Sequence, residues 1–213
     1  MPNPLDPERL LRQMALQVIK FAKSSAVTAA LKPFDDGILE DPLLTWCVEN
    51  KCLYEPSTLI LLNNWDKDRV INRTVTENLG YCDDYFNHTL LMTGDTYNRT
   101  FDLLFNTTWS RDRINSQFCL AGNIVPGLWR NDQTEGYLGD QIYTQAFYCL
   151  WLPVVQEYRI KHIYLCGAWA KGLARLVRSE LHHRGVVRVF CHPSSRGAHL
   201  WNRLKEPDNL QEI

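Results

Sequence analysis

At 213 residues, 45% apolar and 22% charged, the chain has the size and composition of one soluble globular domain with a full core. It has no basic-then-apolar leader and no long unbroken apolar run, so neither a signal peptide nor a membrane span is expected, and the expected location is cytoplasmic. The net charge of −1 conceals a basic final third: from Arg159 to Arg203 nine Lys/Arg stand against one acid, Glu180, leaving fourteen basic and twenty-three acidic residues elsewhere. Such clustering on a near-neutral chain is either a phosphate-facing surface or a solvated helix face, the latter accounting at least as well for Arg175, Arg178 and Arg184.

The first predicted element is a helix over 6–31. Asp6 can cap it, Pro7 suits its first position, and Glu8 suits the positive end of its dipole. Leu10, Leu11, Met14, Val18, Phe21 and Ala22 fall on one face. Residues 33–57 read as loop with a short helical piece around Pro42–Glu49. Thr58–Leu62, TLILL, reads as the first core strand, ending in Asn63-Asn64-Trp65-Asp66. Residues 67–97 have no firm period, and Thr100–Phe105 reads as helix. Phe118–Val125 is a second strand, which Gly122-Asn123 is expected to interrupt. A Gly- and Asp-rich loop over Gly127–Gly139 precedes a helix over Gln141–Tyr158, with a kink at Pro153. Lys161–Cys166 then reads as strand, Gly167-Ala168 as tight turn, Ala170–His183 as helix, and Val186–Phe190 as a last buried strand. Pro193 cannot extend a central strand, so the chain leaves the sheet near His192. A final helix is expected from near Gly197.

Seven cysteines form no Cys-x-x-Cys pair, which reads as buried free thiols rather than disulfides or a metal site. Four Asn-x-Thr triplets, at Asn72, Asn87, Asn98 and Asn106, read as chance matches in a chain without a leader.

Alternation of strands and helices predicts an α/β fold: a three-layer sandwich around a mainly parallel sheet of about four strands, in a single domain over 1–213 with its core at 55–205. Parallel strands put their carboxyl ends on one edge. The polar groups that close the four strands should therefore converge: Asn63-Asn64-Trp65-Asp66, Gly122-Asn123, Gly167-Ala168 and His192-Pro193-Ser194. Together they supply amides that can read a base edge, a carboxylate that can hold a water, an imidazole that can stabilise a developing anion, and helix N-terminal amides. Taken singly, Asn64 and Asn123 fit turn closure better; taken together with the other groups at four successive strand ends, they do not.

The motifs LLNNWD at 61–66, AGNIVPG at 121–127, IYLCGAWA at 163–170 and HPSSRG at 192–197 stand in the order of those of another group of proteins. The chain resembles the uracil-DNA glycosylase superfamily over roughly residues 55–205, HPSSRG being similar to the late motif of its single-strand-selective branch. LLMTGDTYNRTFDLLF at 90–105 stands where family members have a glycine-containing loop and helix.

The resemblance implies a monofunctional DNA glycosylase that flips a base out of DNA and hydrolyses its N-glycosidic bond, leaving an abasic site. Asn64 or Asp66 would position the attacking water, and His192 would stabilise the departing base. Asn123 would hydrogen-bond the flipped base, with Trp65 beside it. Arg196 would fill the gap left in the helix, while Ser194, Ser195, Gly167 and Lys171 would contact DNA phosphates. A lyase reaction through nearby Lys67 is disfavoured. No cofactor or metal is implied, and a monomer is expected. The first motif lacks the family's Gly and Pro, which opens the substrate from uracil to a hypermodified pyrimidine. Some bacterial relatives remove such bases, for instance glucosylated hydroxymethylcytosine, from phage DNA as antiviral defence. The alternatives are a catalytically inactive DNA-binding protein on the same fold and a nucleoside or nucleotide N-glycosidase.

Overall fold

Four apolar runs form the central sheet: β1 (Thr58–Leu62), β2 (Cys119–Asn123), β3 (His162–Cys166) and β4 (Val186–Phe190). All neighbouring strands are parallel, in the order β2-β1-β3-β4. The computed structural model describes residues 1–22, 24, 32–33, 52–62, 115–125, 129–130, 139–167, 169–181 and 185–190. The helical piece expected around 42–49, the loop with short helices over 67–97, the helix over 100–105 and the one expected from near 197 lie outside these residues.

The register sorts side chains by face. Leu120, Leu59, Ile163 and Val187 make one cross-strand row, and Leu61 and Leu165 belong to the next row on that side. These residues join one core cluster with buried residues of three helices: α1 (Pro7–Ala22), α2 (residues 140–157) and α3 (Ala170–Glu180). Ile60, Leu62, Cys119, Ala121, Tyr164, Cys166 and Phe190 alternate to the opposite face and are buried as well. Burial on both faces is why these strands read as continuous apolar runs rather than as alternating ones. The chain therefore has the expected α/β fold.

Helix α1 starts as its sequence predicts. The Asp6 carboxylate accepts the Arg9 amide at 3.1 Å, and Arg12 pairs with Glu8 at 2.9 Å. It ends at Ala22, short of the expected residue 31. There the Ser24 amide closes a three-residue turn onto the Phe21 carbonyl at 3.0 Å, which stops the four-residue ladder.

Helix α2 runs as Asp140–Ala146, a wider π turn at Phe147–Trp151, and Leu152–Glu157. Pro153 has no N–H to return to the preceding turn, and the widened turn directly before it absorbs that loss. The helix continues through the proline to Glu157.

A second departure concerns Gly122 and Asn123. They do not interrupt β2; they are its last two residues, paired with Leu61 and Leu62. Away from the main sheet, Lys32–Pro33 pairs antiparallel with Trp129–Arg130, in stretches read from sequence as loop. No helix among the described residues is long and apolar enough to cross a membrane. The described cysteines, Cys52, Cys119, Cys149 and Cys166, are free thiols.

Candidate functional site at the carboxyl edge of the sheet

The strand order reverses direction once. The connection from β1 leads to β2 on one side, and the next leads back across β1 to β3 and then β4. In open parallel sheets a crevice forms outside the carboxyl ends of the strands at such a reversal, here between β1 and β3. Leu62 pairs with Asn123, and Cys166 pairs with Phe190, so all four strands end at one level.

Asn123 closes β2 and is only 8% exposed. The residue makes an interaction of its own there. Burying an amide beside apolar neighbours is costly unless it is hydrogen-bonded, so a polar group here is a specific feature of the edge. Beside it along the edge are Leu62, Cys166 and Phe190, and the ring of Phe190 stacks on Tyr164 with centroids 5.6 Å apart.

Two tryptophans hold the strand exits. The Trp151 indole N–H donates to the Ile124 carbonyl at 3.0 Å, just past β2. The Trp169 indole N–H donates to the Cys166 carbonyl at 3.1 Å, at the end of β3. Each indole lies against a glycine. A methyl at Gly122 would come 2.5 Å from the Trp151 ring, and one at Gly167 would come 2.4 Å from the Trp169 indole nitrogen. Gly167 also has φ +143°, a conformation L side chains rarely adopt. Backbone bonds tie neighbouring exits together: the Ile124 amide donates to the Leu62 carbonyl at 2.8 Å, and the Gly167 amide to the Phe190 carbonyl at 2.8 Å. The edge is thus a braced frame. Tyr143 of α2 stacks on Trp169 at 5.2 Å and links that frame to the helical layer.

Of the residues selected from sequence, the described ones are Asn123, Gly167 and Lys171. Asn123 and Gly167 stand at the ends of β2 and β3, and Lys171 is exposed in the first turn of α3. The Gly167 amide is committed to Phe190, and Asp140 lies against Gly172, its carboxylate 3.1 Å from where a methyl on that glycine would stand. The start of α3 therefore already faces a carboxylate. Asn64, Trp65, Asp66, His192, Ser194, Ser195 and Arg196 lie outside the described residues. The sequence reading did not single out Trp151 or Trp169. The signal available for Trp169 was its place two residues after a glycine that closes a strand.

Among the described residues no three His, Cys, Asp or Glu side chains gather so as to hold a metal ion. No protein-family model matches the chain, and no curated protein matches it either.

Proposed function

We propose that the protein is a DNA glycosylase that excises a flipped base at the carboxyl edge of its sheet. The observation that carries this reading is the common level at which the four strands end, with a buried asparagine at the end of β2. Four of the stretches that resemble the glycosylase superfamily, at 61–66, 121–127, 163–170 and 192–197, run into or follow directly from one of those ends. Asn64 comes two residues after Leu62, and His192 two residues after Phe190.

In this reading the target nucleotide leaves the stack at a cost of about a few kcal/mol and enters the pocket. Asn123 reads the base, since an amide presents both a donor and an acceptor. As the glycosidic bond breaks, the sugar gains positive and the base negative charge. Asn64 or Asp66 orients the water that adds to the sugar, and His192 donates a hydrogen bond to the departing base. Arg196 fills the vacated place in the stack, and Ser194, Ser195 and Lys171 hold flanking phosphates. The substrate is uracil or a hypermodified pyrimidine.

The test is incubation of the purified protein with oligonucleotides carrying uracil, mismatched thymine, or glucosylated hydroxymethylcytosine. Alkali-labile strands are expected with one class of base. DNA binding without alkali-labile product from any class would instead favour an inactive DNA-binding protein.

A further inference from the structure

We propose that the exposed face of α3 is a second DNA contact, which takes the backbone of the strand carrying the target base as it leaves the carboxyl edge. This rests on the glycosylase reading above and adds a surface to it. Lys171, Arg175 and Arg178 are all exposed. At about 100° per residue they fall within about 60° of one another around the helix. Ala170, Leu173, Ala174 and Val177 occupy the buried side. None of the three cations has an ion-pair partner among the described residues. The helix's one acid, Glu180, is engaged by the Tyr148 hydroxyl at 3.0 Å. Asp140, at the start of α2, lies against Gly172.

The stripe has the dimensions of a backbone track. From Lys171 to Arg178 the helix rises about 10 Å, the axial length of roughly three nucleotides. It begins beside the end of β3 at the carboxyl edge and runs back along the sheet. Arginine suits phosphate because its planar fork of donors matches two phosphate oxygens. On a chain of net charge −1, three cations on one face, without an ion-pair partner among the described residues, are a local field opposite to the excess of acids elsewhere.

The test uses Arg175→Gln/Arg178→Gln and the charge-keeping Arg175→Lys/Arg178→Lys in the full chain. Affinity for a labelled duplex of about 30 base pairs, and for one of its strands, is followed between about 50 and 200 mM salt. The glutamine variant should flatten the slope of log affinity against log salt by about 1.8 on duplex, or about 1.4 on single strand. The lysine variant should keep the wild-type slope. An unchanged slope in the glutamine variant, with wild-type binding and excision intact, overturns the α3 contact alone. Wild-type protein that neither binds nor cuts DNA overturns this contact and the glycosylase reading together. Loss of binding to phosphatidylserine vesicles, with the DNA slope unchanged, would assign the stripe to a membrane surface instead.

Discussion

Asn123 is the described residue on which the proposed chemistry bears most directly. It ends a strand whose other residues are apolar or glycine, and it is buried at the edge where the site is proposed. Replacing Asn123 by alanine removes the donor and acceptor that would read the base. Excision should fall by about 10²–10³-fold, the loss typical of a deleted hydrogen-bonding group at a developing charge. DNA affinity should change little, and stability by about 1 kcal/mol. Single-turnover excision, with binding and thermal unfolding measured on the same preparation, separates these effects; equal loss of binding and excision would assign Asn123 a structural role. Cys52 presents a different residue-scale effect. Burial pushes its thiol up from 9.0 to about 12, and its Sγ lies 3.3 Å from the Tyr54 carbonyl. A raised folded value means that the thiol's contribution is complete below about pH 9 and is lost as pH rises toward about 12, where the unfolded chain ionises first. Wild-type protein should therefore lose more stability between those limits than Cys52→Ala does, as measured by urea unfolding at a series of pH values. Parallel pH profiles for the two proteins would refute this.

At the scale of elements, the exits of β2 and β3 are each held by a glycine and an indole. Gly122 lies against Trp151, and Gly167 against Trp169. Gly122→Ala should cost about 1–3 kcal/mol, because the added methyl meets a fully buried ring that has no room to move. Trp151→Phe removes the ring atoms that the methyl meets, together with the bond to Ile124. The double variant should consequently be more stable than the sum of the two single losses predicts. Strict additivity in chemical unfolding would show that the glycine–indole contact is not what limits the position. These pairings also explain which parts of the fold were legible in sequence. TLILL and VVRVF are strands of the predicted extent because apolar, β-branched runs bounded by polar residues leave little choice. Gly122-Asn123 read as an interruption because local propensity disfavours both residues in a strand. The tertiary contact with Trp151, far along the chain, reverses that preference. Pro153 read as a kink for the same local reason, and α2 has its wider π turn directly before that residue. The convergence of strand ends was legible in outline, since parallel strands share an edge. The indole braces were not, because nothing local to Trp151 or Trp169 specifies which carbonyl each will meet.

At the scale of the whole molecule, α1 is joined to the sheet domain by more than chain connection. Leu10, Met14 and Phe21 are buried in the same core cluster as Leu59, Ile163 and Trp151. Around the start of α1, the Leu5 amide donates to the Leu53 carbonyl at 3.0 Å, and the Glu55 amide to the Asn3 carbonyl at 2.9 Å. Arg9 pairs with Glu157 at the end of α2. The ion pair involves an exposed arginine and contributes at most about 1 kcal/mol. The apolar side chains matter more, at about 1.5–3 kcal/mol each. Their sum, roughly 5–9 kcal/mol, rivals the total stability of an ordinary domain, about 5–15 kcal/mol. Removing residues 1–22 should therefore abolish cooperative unfolding or lower its midpoint steeply, whereas Arg9→Ala should shift it only slightly. Circular dichroism during heating distinguishes the two variants. A truncated chain that unfolds in one transition at the wild-type midpoint would mean that the sheet and α2–α3 are self-sufficient. Intact cooperativity in Arg9→Ala beside its loss in the truncation would place the coupling in the buried face of α1. It would also make α1 part of the support for α2, whose Trp151 holds the exit of β2 at the proposed site.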